Sequence, residues 1–209
     1  MASDKRLNDL LKWSIENSDA TRDDPSASAA APNPTQLTPE LVAALMGGPS
    51  DAELMKAAMD IIAAPASEAD LESKLVAFDN FEQLVESLDN ANNIADLGLW
   101  TPLLEQLGHE EPELRKMAAW CIGTAVQNNE KTQERLYAMG GVKQLVGMAT
   151  AAAEKEDVKR KAVYALSSAC RNYQPAMDAC VEELQTGNKV DAADMEAVDV
   201  IMNGLREKI

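Results

Sequence analysis

Three observations predict an all-α chain of stacked helical repeats: an apolar content nearly free of aromatics, a self-similarity at an interval of 44 residues, and no segment with strand alternation. Of the 209 residues, 46% are hydrophobic but only 4% aromatic, so Ala, Leu, Val, Ile and Met carry the apolar content. Small and flexible side chains suit close helix packing, whereas sheets draw on β-branched and aromatic residues. A chain of this length holds one ordinary core, or a modest domain with a tail.

Residues 7–17 form a short amphipathic candidate helix with Leu7, Leu10, Leu11 and Ile15 on one face. Residues 18–36 are rich in Ala, Ser, Asp and Pro without a periodic apolar face, which predicts a linker. The expected division is therefore a flexible N-terminal segment over 1–36 and a helical domain over 37–209. Thr38 before Pro39 starts a helix that Gly47-Gly48 stops after Met46. Ser50 and Glu53 have the spacing of a capping box, opening a helix through Met55, Met59 and Ile62 to Pro65. A longer helix is expected over 68–88, with Leu71, Leu75, Phe78 and Val85 on one face.

The repeat appears when residues 115–128 are set against 159–172. Ala118 meets Ala162, Trp120 meets Tyr164, Ile122 meets Leu166, Ala125 meets Ala169 and Asn128 meets Asn172. A third copy lies 41 residues upstream of the first, where Lys74, Ala77, Phe81 and Leu84 match Arg115, Ala118, Ile122 and Ala125. Gly98-Leu99 precedes a short helix bearing Leu103, Leu104 and Leu107, and Gly141-Val142 precedes one bearing Leu145, Val146 and Met148. A charged turn and a long helix follow in each. A unit of roughly 40–47 residues with two or three helices is the armadillo/HEAT pattern. The predicted architecture is an armadillo/HEAT-like right-handed α-solenoid of about three repeats, whose long helices line a concave binding face. Beyond it, Met195, Val198, Ile201, Met202 and Leu205 keep helical spacing and predict a helix that caps the array.

The net charge of −16 repels phosphate polymers and anionic membrane surfaces. It either keeps the helices soluble or marks an acidic face for a basic patch on a protein partner. Cys121, Cys170 and Cys180 have no CxxC spacing, which argues against a disulfide framework or zinc and for a reducing compartment. No signal-peptide pattern opens the sequence, and no apolar run approaches the ~18 residues of a membrane span. His109, the sole histidine, reads as a loop residue, and no nucleophile elbow, phosphate loop or H-E-x-x-H motif is present. Cys121 and Cys170 align with Ala165 and Val126 and so read as core. The expectation is a non-enzyme with neither cofactor nor metal.

The segment from Asp89 to Asn93 places four amide or acid side chains in five residues after a helix end at Leu88. Such residues build turns, and they also grip a partner's polar surface. Asn128 and Asn172, at the ends of the aligned long helices, carry the same two readings.

Three stretches resemble the fungal Fes-type armadillo nucleotide exchange factors, relatives of the animal Hsp-binding protein: residues 10–18, 74–82 with 88–94, and 119–129. The resemblance covers about residues 7–172 and includes Leu10-Leu11-Lys12-Trp13-Ser14-Ile15, Leu88-Asp89-Asn90-Ala91-Asn92-Asn93 and Trp120-Cys121-Ile122-Gly123. It implies a monomeric cytosolic protein that holds the nucleotide-binding domain of a seventy-kilodalton heat-shock chaperone and makes ADP depart. It further implies chaperone contacts at Asn90, Ala91, Asn92 and Asn93, and a substrate-mimic role for Leu10, Leu11, Trp13 and Ile15. On that reading Ala91→Arg should abolish binding and leave the fold intact. The alternative is an armadillo adaptor that binds extended peptides without exchange activity. Only Trp120, aligned with Tyr164, supplies the aromatic side of such a groove.

Overall fold

A computed structural model describes residues 48–187 and 189–209; the candidate helices over 7–17 and 39–46, with Leu10, Leu11, Trp13 and Ile15, lie outside them. Within the unit Asp51–Ile209, the described residues form ten α-helices and no strand. They are α1 (Asp51–Ala63), α2 (Leu71–Val85), α3 (Leu88–Asp96), α4 (Trp100–Glu105), α5 (Pro112–Ala125), α6 (Glu130–Ala138), α7 (Gly141–Thr150), α8 (Glu156–Cys170), α9 (Gln174–Glu183) and α10 (Met195–Arg206).

The long helices are α2, α5 and α8, and they pack in a row that α10 extends. In the second layer α1 packs on α2, the 3-10 turn Gln106–Gly108 behind α4 packs on α5, and α7 and α9 pack on α8. The sequence repeat is the core register of this row. Ala77, Ala118 and Ala162 are buried where the helices approach, and Phe81, Ile122 and Leu166 are each 0% exposed. Cys121 and Ala165 are sealed in the same way, as are Val126 and Cys170, so those thiols are core side chains. Burial pushes the Cys121 thiol well above the ordinary range, which opposes thiolate reactivity. The tail helix is α10, whose Val198, Met202 and Leu205 close the end of the row.

The long helix expected over 68–88 is shorter and is followed at once by another. Asp70 caps α2 by accepting from the Ser73 N–H at 2.9 Å, and Ser87, two residues past Val85, is the N-cap position of α3. The buried face of α2 is also rotated from the expected one: Leu71 is 39% exposed, while Lys74, Phe78, Phe81 and Glu82 turn inward. Gly98, with φ 72°, ends α3 in a Schellman arrangement, in which Leu99 N–H donates to Ile94 O and Gly98 N–H to Ala95 O.

The repeats match in polar chemistry as well as in packing. Lys74 Nζ donates to Ile62 O at 3.0 Å and to Ala64 O, satisfying carbonyls at the end of α1. Arg115, at the equivalent position of α5, donates to His109 O and Glu110 O of the preceding turn. Its guanidinium also grips Glu154 with two 2.7 Å bonds, holding that carboxyl below the usual carboxylate range. Lys116 pairs with Asp157 at 2.9 Å and Lys155 with Glu113 at 3.0 Å across the same seam. Arg171 pairs with Asp199 between α8 and α10.

Candidate functional site

The residues expected as chaperone contacts fall into three environments. Asn90, Ala91, Asn92 and Asn93 lie within α3, not in a loop after a helix end. Asn90 is 7% exposed, and its Nδ2 donates to Asp51 Oδ2 at 2.8 Å and to Leu84 O at 2.9 Å. In the next repeat Thr132 Oγ1 donates at 2.8 Å to Ala125 O, the counterpart of Leu84 O. Asn90 is therefore a repeat staple that satisfies a carbonyl at the end of the preceding long helix. Ala91 is 2% exposed and packs in the core, so its side chain offers no free surface, and Ala91→Arg cannot leave the fold intact. Asn92 is half-buried, with its Oδ1 sealed, and Asn93 is exposed.

Asn128 and Asn172 are exposed and left-handed, with φ 52° and 59°. Asn172 occupies the third position of a turn closed by Tyr173 N–H donating to Cys170 O, after Arg171 at φ −64° and ψ 128°; that is a type II turn. Asn128 stands likewise in a turn closed by Asn129 N–H to Val126 O. Asparagine tolerates this conformation better than other side-chain-bearing residues, which gives both positions a backbone reason. Both side chains remain free to reach outward. Asn128 and Asn172 each follow the C-terminal end of a long helix, α5 and α8, and so occupy equivalent places in successive repeats, whereas Asn93 lies inside α3.

The row of long helices also presents a polar face built from residues of different repeats. Thr124 Oγ1 donates to Glu82 Oε1 at 2.7 Å, joining α5 to α2. Tyr164 OH on α8 lies 3.4 Å from both Thr124 Oγ1 and Gln127 Oε1. Lys161 Nζ sits 3.7 Å from the centroid of the Trp120 ring and 5.5 Å from that of Tyr164. Gly123 makes the close approach possible, because a Cβ there would fall 2.5 Å from Tyr164 Cε1 and 3.1 Å from Ala165 Cα. The signal for this cluster in the sequence is Lys161 itself, a lysine where the repeat has Met117.

His109 is a partly exposed turn residue whose Nδ1 accepts from the Glu111 N–H at 3.0 Å. Among the described residues no group of three or more His, Cys, Asp and Glu is placed to hold a metal, and no helix is long and apolar enough to cross a membrane. The polar network on the long helices offers hydrogen-bond donors and acceptors, two aromatic rings and the Lys161 cation that lies over them.

Comparison with known proteins gives concordant matches. The family described as "Nucleotide exchange factor Fes1" matches residues 7–94, and the "SIL1/FES1/HPBP1 C-terminal domain" matches residues 90–185. The chain is 69% identical to an "Hsp70 nucleotide exchange factor FES1" of Gibberella zeae, covering 99% of this chain and 98% of that one. A Neurospora crassa protein of the same description is 49% identical, with 98% of each chain covered. The relative from Eremothecium gossypii is longer: the match is 45% identical and covers 81% of this chain but 57% of the relative. An engineered protein of solved structure shares the fold with TM-score 0.55 at 19% identity, over 80% of this chain and 69% of that chain.

Proposed function

This chain belongs to the Fes1 family of Hsp70 nucleotide exchange factors, and from that membership we propose that it binds the nucleotide-binding domain of a cytosolic Hsp70 chaperone and speeds the departure of ADP. The observation that carries the reading is the 69% identity to an Hsp70 nucleotide exchange factor across nearly the whole of both chains. The activity needs no catalytic residue. An exchange factor works by binding the nucleotide-free chaperone more tightly than the ADP-bound one, and by linkage it then weakens ADP in the same proportion. We assign the contact to the exposed face of α2, α5 and α8 and to the exposed asparagines Asn93, Asn128 and Asn172. Asn90 and Ala91 anchor α3, the helix that carries Asn93.

The same reading makes the chain a cytosolic monomer without cofactor, nucleic acid or membrane contact, and its net charge of −16 disfavours phosphate polymers. It gives Leu10, Leu11, Trp13 and Ile15 the role of an apolar substrate mimic, tethered near the chaperone's peptide site at high effective concentration. The adaptor alternative is weaker, because it needs an open aromatic face for a peptide side chain, and the Trp120 ring is already covered by Lys161 at 3.7 Å.

The test is stopped-flow release of labelled ADP from purified Hsp70. The full chain is expected to accelerate release at least about tenfold, within the usual range of coupling between two ligands. Removal of residues 1–36 should keep that acceleration and slow the release of a bound model peptide. An ADP release rate unchanged by the full chain overturns the function, and loss of both activities on truncation overturns the separate role of the segment.

A further inference from the structure

We propose that Lys161, seated on Trp120, is the specificity-determining charge of the long-helix face and meets a carboxylate on the surface of the bound chaperone. This inference rests on the exchange-factor reading and adds to it the chemistry that the partner must present.

The other charged side chains at this part of the face already have hydrogen-bond or ion-pair partners within the chain. The Glu82 carboxylate, 6% exposed, accepts the Thr124 hydroxyl at 2.7 Å. Lys116 and Asp157 answer one another at 2.9 Å. Lys161 has no carboxylate within ion-pair distance among the described residues; its contacts there are the Trp120 and Tyr164 rings. Burial against those rings and their neighbours already holds its ammonium below the ordinary lysine range, with the more distant Glu82 pulling the other way.

The position of this cation is fixed in advance. Gly123 admits the Tyr164 ring against the α5 backbone, and the Tyr164 hydroxyl is within reach of Thr124 and Gln127. The Lys161 ammonium is already held over these rings, so docking costs it less rotamer freedom than a free surface lysine would lose. A partner that covers the face removes the remaining water from the ammonium. The cation–π attraction of the ring is weaker than the cost of desolvating an ion. Lysine carries donors and no acceptor, so an anionic acceptor opposite it is the complement that makes the contact favourable. On a chain of net charge −16 such a site is selective, because the net field disfavours an acidic partner while Lys161 accepts a carboxylate at one place on the face.

The test uses the full chain with purified nucleotide-free Hsp70, measuring affinity by titration calorimetry and ADP release by stopped flow. Lys161→Met keeps the apolar stem over Trp120 and removes the charge; affinity should fall about tenfold or more, with exchange falling alongside it. Lys161→Glu should fall further through like-charge repulsion. Lys161→Arg keeps a cation that stacks well on tryptophan and should stay within about threefold of the parent. All three should melt within about two degrees of the parent, since the residue is partly exposed. Binding by Lys161→Met within about twofold of the parent overturns the proposal, as does early melting of that variant, which would make the lysine a packing residue. A parent chain that neither binds nor accelerates release would instead overturn the exchange-factor reading on which the proposal stands.

Discussion

Ala91→Arg should unfold the N-terminal end of the array, even though its sequence neighbours Asp89, Asn92 and Asn93 are polar. Ala91 is 2% exposed on the inner side of α3, which also turns Asn90 and Ile94 inward. A guanidinium there has no room, because Ala91 belongs to the packed core. Burying an unpaired charge in a packed site belongs with the substitutions that cost more than about 4 kcal/mol. For a folded unit of this size such a loss lowers the melting temperature by roughly 10 °C or more. Repeat arrays lose cooperativity when one unit is weakened, so α1, α2 and α3 should melt first and separately. Circular dichroism melting with hydrogen exchange would show early loss of protection over those helices. A single transition at the parent temperature would place Ala91 on the surface, as its polar neighbours suggest.

Ile122→Ala has the next largest expected effect. Ile122 is 0% exposed on α5, which packs against both α2 and α8. Removing most of its side chain leaves a cavity between helices whose backbones are held in register by the Thr124–Glu82 bond and the Arg115–Glu154 pair. Large-to-small changes at such sites cost about 2–5 kcal/mol, which corresponds to roughly 5–15 °C in melting temperature here. Phe81 and Leu166 occupy the same register, so their truncation should cost a comparable amount. A melting temperature unchanged within about two degrees would remove Ile122 from the core and undo the alignment of the three long helices.

These two residues show what the sequence discloses and what it hides. Ile122 was legible because its counterparts recur at intervals of 41 and 44 residues, and a repeat forces equivalent residues into equivalent packing. Ala91 was hidden by composition. Asp89, Asn90, Asn92 and Asn93 favour turns when judged singly, yet they fold as α3 because Asn90 finds Leu84 O and Asp51, and Ile94 finds the core. Tertiary hydrogen bonds outweigh a weak local preference. Asn128 and Asn172 show the reverse case, where two aligned asparagines at helix ends reported a left-handed turn after α5 and after α8. The Trp120–Lys161 stack depends on the lateral register of α5 against α8, which periodicity along one helix does not encode. Its trace was a lysine at the repeat position of Met117, exposed enough to carry charge and long enough to reach the neighbouring ring.

The measurement that reaches the central claim most directly is the affinity of the full chain for one purified Hsp70 prepared without nucleotide and with saturating ADP. The expected result is tighter binding to the nucleotide-free form by about 5- to 150-fold, with ADP affinity weakened by the same factor when the chain is saturating. Equal affinity for the two forms would contradict the account, since a partner that does not discriminate between them cannot shift ADP from one to the other.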